Sequence, residues 1–104
     1  MNIGDFKIGS APYLIAEASI NHGGSVNTAC DMAEAAKEAG CNVVKFQTYI
    51  TEHFCAPEDP MFSTFKHCEL PRDSWKTISD HCKQVGITFL STPQNVEDLK
   101  LLTV

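Results

Sequence analysis

The chain has 104 residues, 43% hydrophobic and 20% charged, the balance of an ordinary globular domain rather than a disordered or fibrous one. A net charge of −5 argues against a nucleic-acid partner held by a basic face, although one or two local cations would suffice for a small anionic substrate. No apolar run approaches the ~18 residues that span a bilayer, and "MNIGDFKIGSAPYLIAEASI" lacks the basic start and small-residue cleavage site of a signal peptide, so a cytoplasmic protein without membrane contact is expected.

Taken in order, the chain alternates strands and helices. "YLIAEASI" (13–20) reads as a strand and is followed by the loop "NHGG". "SVNTACDMAEAAKEAG" reads as a helix, with Ser25 as N-cap and Gly40 as C′ residue. Its Val26, Ala29, Ala33 and Ala36 form a stripe of small residues suited to close packing on a sheet. "NVVKFQTYI" (42–50) is the second strand, apolar except for Lys45 and Gln47. Residues 51–69 are polar and hold two prolines; they read as a long loop, with a short helix placed near "MFSTFKHC". "LPRDSWKTISDHCKQVG" starts a second long helix near Pro71 and stops it at Gly86, with Trp75, Ile78, Cys82 and Val85 as the buried stripe. "ITFLST" is a third strand, and Asn95 caps a last helix in "PQNVEDLKLL".

This order predicts an α/β fold, a parallel sheet with right-handed crossovers. Its strands are apolar on both faces over most of their length, as strands covered on both sides are. Three strands cannot close a barrel. The expectation adopted is a sheet completed by segments outside this sequence, in preference to a very small open sandwich.

The cysteines are Cys30, Cys41, Cys55, Cys68 and Cys82, an odd set with no C-x-x-C pair, so reduced thiols are expected. "HC" at 67–68 and 81–82 hints at metal ligation. Adjacent helical residues point about 100° apart and seldom reach one ion, so buried thiols and surface imidazoles are the preferred reading.

The strand ends carry the candidate chemistry. Alternation puts Lys45 and Gln47 on one face with Val44 and Phe46 on the other, and expects Glu17 and Ser19 to share a face in the first strand. Each strand ends at its C-terminal side in polar groups: Glu17 and Ser19, Lys45 and Gln47, Ser91 and Thr92. That edge is where α/β folds build sites. The competing reading is a Glu17–Lys45 ion pair that serves structure alone, a poor bargain if buried.

"IAEASINHGGS", "EAGCNVVKFQT" and "GITFLSTPQNVEDL" together resemble the N-terminal part of the sialic acid synthase family, which includes pseudaminic and legionaminic acid synthases and spore-coat polysaccharide homologues. The resemblance runs from about Tyr13 to Leu102. It implies that residues 1–104 are the first three βα units of a TIM (β/α)8 barrel, truncated, with a C-terminal antifreeze-like domain lying beyond. It also implies a transferase that condenses phosphoenolpyruvate with an N-acetylhexosamine of the N-acetylmannosamine type, giving a nine-carbon 2-keto acid. A divalent cation, manganese or magnesium, and a homodimer belong to the same implication, with the metal ligands outside this chain.

Carried over by position, the resemblance makes Lys45 the contact to phosphoenolpyruvate and Gln47 an amide on the sugar side. Thr92 supplies a hydroxyl to phosphoenolpyruvate, and Ser91 is a further candidate substrate-binding residue; alternation puts Thr92 on the face of Leu90. Glu17 is the first-strand glutamate that orients Lys45 or the sugar, and Asn21 and His22 lie in the loop above it. Glu17 and Lys45 are thus the candidate catalytic pair. The sequence departs from the pattern at Ala18 and Ser19, where the family commonly has an apolar residue and glycine, and at Gln94, where phenylalanine is usual; substrate preference is affected more than fold. With three of eight strands, the chain is expected to be inactive alone. Two other classes stay open: a Schiff-base aldolase barrel using Lys45, and a non-catalytic βα module that binds through its sheet edges.

Overall fold

The alternation of β-branched runs with Ala- and Glu-rich segments sets the element order of the computed structural model, which describes residues 1–103. Strands β3 (Ile15–Ser19), β4 (Val43–Thr48) and β5 (Thr88–Pro93) form one parallel sheet in that order. Between them run helices α1 (Val26–Glu38), α2 (Phe62–Cys68) and α3 (Ser74–Val85), and α4 (Val96–Leu102) follows β5. A short antiparallel hairpin, β1 (Asn2–Ile3) and β2 (Phe6–Lys7), precedes the sheet. The strand-led order read from sequence is therefore observed, and the hairpin is an addition to it. Gly4, at φ +57°, supplies the positive φ that a two-residue hairpin turn requires.

Local chemistry fixes the helix ends. The Ser25 hydroxyl accepts from the Thr28 N–H and caps α1. Asn95 does the same for α4 through Asp98 N–H. Gly86, at φ +88°, ends α3 in the left-handed conformation that favours glycine. The start of α3 differs from expectation. The helix begins at Ser74 rather than near Pro71, because the Ser74 N–H and hydroxyl both donate to the Pro71 carbonyl and close a turn ahead of it. The 51–69 segment contains the expected short helix, α2, and also a 3₁₀ turn at Thr51–His53.

The core lies on one side of the sheet. Ala29, Ala33 and Ala36 of α1 and Trp75, Ile78 and Cys82 of α3 pack against Val44 and Phe46 of β4. Small residues on α1 let its backbone come close to the strands, the role their spacing predicted. Phe46 is fully buried, with ring centroids of Trp75 and Phe89 at 6.0 and 6.1 Å. Deeper into the same side, the Thr48 and Ser91 hydroxyls pair at 2.6 Å. The opposite face is covered by no helix and is largely open: Ile15 is 50% exposed and Leu90 43%, although Val43 on that face is buried. Among the described residues, strands β3 and β5 each lack a second neighbour.

One ion pair ties the last unit to the rest. Asp98 of α4 is fully buried and accepts from Arg72 at 2.6 Å, leaving its other oxygen without a partner among the described residues. Among the described residues, no helix is long and apolar enough to cross a membrane. Replacing Phe46 with alanine should cost about 3–5 kcal/mol in urea-induced unfolding, the range for deleting a buried aromatic; a loss below about 1 kcal/mol would show that this ring is not central to the core.

Candidate functional site

Parallel register converts strand alternation into a site. Glu17 stands opposite Lys45, Lys45 opposite Leu90, and Gln47 opposite Thr92. All four polar side chains stand on the uncovered face, toward the C-terminal edge of the sheet. Glu17 Oε2 lies 3.1 Å from Lys45 Nζ, with side chains 48% and 33% exposed. A half-exposed pair of this kind contributes only about 0.2–1 kcal/mol. The purely structural reading therefore has little energy behind it, and the charges remain accessible to a ligand.

Other residues of the sequence-derived set are placed differently. Ser19 was expected beside Glu17, but a bulge intervenes: after Glu17 meets Lys45, Ser19 meets Phe46. Ser19 has φ +52° and is the one non-glycine residue with positive φ among those described. The shift takes it out of the Glu17 row, and it accounts physically for a glycine preference at this position. Ser91, a candidate binding residue, faces the helices bonded to Thr48, on the side of the sheet opposite Thr92. Asn21 is exposed in the loop after β3, where its N–H donates to the Ala18 carbonyl.

His22 turns inward. It is 3% exposed and sits 6.2 Å from the Phe46 ring. Its Nδ1 accepts from the Gly24 N–H at 3.0 Å, so in the neutral ring Nε2 carries the proton, and Nε2 has no partner among the described residues. Burial lowers its pKa from the ordinary value of 6.5.

Sequence reasoning missed the residues that brace the long connection after β4. The Tyr49 hydroxyl donates to the Phe65 carbonyl at 2.7 Å, and Tyr49, Phe54 and Phe65 pack edge to face. Burial, reinforced by Cys68 and Glu69, holds the Tyr49 phenol well above its ordinary range. Glu69 Oε1 accepts from both the N–H and the hydroxyl of Thr51, at 2.7 and 2.8 Å. Lys66 bridges Glu52 and Glu69. The sequence signal for this brace, a threonine and a glutamate at opposite ends of a polar segment, is too weak to read without the fold.

The "HC" pairs diverge as adjacent helical residues should. His67 is exposed while Cys68 is buried, and His81 reaches Glu34 at 3.0 Å while Cys82 is buried. All five cysteines are free thiols, and burial pushes Cys82 up to about 11. Among the described residues, no group of three or more His, Cys, Asp or Glu could hold a metal. The nearest donors to the site are engaged, Glu17 by Lys45 and His22 Nδ1 by Gly24. The residues present do not fit a divalent-cation site, and no chemical step is assigned to one.

Residues 32–104 match the NeuB family. The chain belongs to that family. This NeuB-family chain is 30% identical, over 98% of its length and 31% of the other, to an uncharacterized protein of Methanocaldococcus jannaschii. It is 28% identical to the pseudaminic acid synthase of Campylobacter jejuni subsp. jejuni serotype O:23/36, over 98% of this chain and 34% of that one. Its structure is similar to that of the N-acetylneuraminic acid synthetase of Leptospira borgpetersenii, with a TM-score of 0.90 and 31% identity, covering 99% of this chain and 37% of that one. The chain thus spans about a third of the length of the curated relatives it matches.

Two substitutions test the placement of these residues. Ser19→Gly should raise stability by about 0.5–1 kcal/mol by relieving the left-handed conformation, net of the entropy glycine adds to the unfolded chain. Lys45→Met should change stability by less than about 1 kcal/mol. Both are read by urea denaturation, and a larger loss for Lys45→Met would restore the structural role of the ion pair.

Proposed function

We propose that this chain supplies the first three strand–helix units of a (β/α)8-barrel synthase that condenses phosphoenolpyruvate with an N-acetylated hexosamine of the N-acetylmannosamine type. The observation that carries the reading is the Glu17–Lys45 pair beside the Gln47–Thr92 rung, all on the uncovered sheet face at its C-terminal edge. Membership of a family whose similar members are named pseudaminic acid and N-acetylneuraminic acid synthases supports the substrate class. In this reading the uncovered face is the barrel interior, and the remaining strands, the metal ligands and the C-terminal domain lie on polypeptide outside residues 1–104.

The chemistry asks mainly for charge compensation and positioning. C3 of phosphoenolpyruvate attacks the aldehyde carbon of the open-chain sugar, forming a carbon–carbon bond while the aldehyde oxygen takes up a proton. Water adds at C2, the C2–O bond breaks, and inorganic phosphate leaves with the bridging oxygen. A 2-keto acid remains. Lys45, a compact ammonium, meets the phosphate or carboxylate of phosphoenolpyruvate. Glu17 fixes the direction of that ammonium. The Thr92 hydroxyl donates to an anionic oxygen, and the Gln47 amide both donates to and accepts from sugar hydroxyls. Asn21 approaches from the loop above. An imine-forming lysine sits in an apolar pocket or beside another cation; Lys45 faces a carboxylate and solvent instead, which favours the ion-binding role.

The test is a chimera in which residues 1–104 replace the matching first part of the Leptospira synthetase. It should release phosphate from phosphoenolpyruvate only when an N-acetylhexosamine is present. Lys45→Met should then lower kcat/KM for phosphoenolpyruvate by about 100-fold or more, as expected for loss of a charged contact to a transferring group. Full activity of the Lys45→Met chimera would sink the assignment. The isolated 104-residue chain is expected to show no turnover, and measurable turnover would overturn the need for further strands.

A further inference from the structure

The loop after β3 and the long connection after β4 meet at one point. Gly24, at φ +85°, lies so close to the end of α2 that a Cβ there would collide with the His67 carbonyl oxygen. The Gly24 N–H is held by His22 Nδ1, and the loop is closed by turn bonds from Asn21 N–H to Ala18, Gly23 N–H to Ile20 and Ser25 N–H to His22. The His22 ring is anchored in turn by burial against Phe46, a core residue flanked in sequence by Lys45 and Gln47.

We propose that His22 is a positioning residue: its neutral ring latches Gly24 so that the β3–α1 loop seats the end of α2 and thereby holds the segment 51–69 that follows the strand bearing Lys45 and Gln47. It touches no reacting atom. The consequence for turnover rests on the synthase reading above, but the latch itself rests on the His22–Gly24 bond and the Gly24–His67 approach.

A latch made by an imidazole acceptor has a defined pH sense. Protonation puts a hydrogen on Nδ1, which then confronts the Gly24 N–H instead of accepting from it. The unfolded chain takes up this proton more readily than the folded one, because burial alone disfavours the charged ring. Burial is the one cause of that depression: no titratable group on the neighbouring elements contributes to it, neither Glu17 on β3 and Lys45 on β4, nor Cys30, Asp31, Glu34, Lys37 and Glu38 on α1, nor Lys66, His67, Cys68 and Glu69 at the end of α2. The latch is therefore intact above pH 6.5 and weakens as pH falls below it.

Amide exchange of the 104-residue chain tests this without any assay of turnover. At neutral pH, His22→Ala should lower the protection of the Gly24 amide at least tenfold and speed proteolysis within 51–69, with Ala33 in α1 as the control for global unfolding. His22→Asn places a side-chain oxygen where Nδ1 stood; it should retain protection and, unlike the parent chain, hold it unchanged from pH 7.5 to 5. Gly24→Ala should free α2 with His22 intact. Unchanged Gly24 protection in His22→Ala, or loss in His22→Asn as large as in His22→Ala, would overturn the latch. If His22→Ala does not fold, the pH profiles of the parent chain and His22→Asn decide alone: parallel profiles refute the proposal and divergent ones support it.

Discussion

Burial on one side of the β3–β4–β5 sheet is the constraint from which the rest of the structure follows. Phe46, Val44, Ile78 and the alanines of α1 are held out of water together. Each large side chain among them is worth about 1.5–3 kcal/mol, several times the half-exposed Glu17–Lys45 pair. The core therefore dictates the register, and the ion pair accepts it. Lys45 lies between Val44 and Phe46 in sequence, and Gln47 between Phe46 and Thr48, so fixing the inward residues fixes the outward ones. A slip of one residue would drive the charges into the core and turn Phe46 to solvent. The precision of the candidate site is thus borrowed from packing on the far side of the same strand.

What was legible in the sequence was local. Lys45 and Gln47 inside an apolar strand are a period-2 signal, and Ser25, Asn95 and Gly86 are caps whose side chain or conformational freedom acts within a few residues. What was not legible depended on partners distant in sequence. The bulge at Ser19 exists only relative to β4, and it reassigns a residue that alternation alone had placed beside Glu17. Alternation already sends the adjacent Ser91 and Thr92 to opposite faces; what it could not name is the Thr48 hydroxyl, 43 residues away, that engages Ser91. His22 reads as a loop residue until Phe46 is found beside it. The β1–β2 hairpin is too short for a hydrophobic pattern, although its Gly-Asp pair is a turn signal.

The NeuB membership and the geometry bear on each other at the uncovered face. A sheet with one covered side and two unpaired edges normally invites aggregation, and here the open side bears the polar row. In a chain that spans about a third of its relatives, the face lacking partners and the face carrying candidate chemistry coincide. That coincidence fits the proposed barrel interior: apolar Ile15 and Val43 pair toward one end, and Glu17, Lys45, Gln47 and Thr92 stand nearer the other, with Leu90 level with Lys45.

The Arg72–Asp98 pair carries a consequence for synthesis. The arginine precedes α3 and the aspartate lies on α4, 26 residues later. As the chain emerges from a ribosome, Arg72 is exposed while its counter-charge is still inside the exit tunnel. Packing of α3 against α1 can begin in that interval, since it uses residues already made. The segment leading into α3 gains its anchor only when α4 follows. Asp98, fully buried against Arg72, thus couples the approach to α3 with helix α4 across the intervening strand β5, a contact that cannot form until α4 has been made.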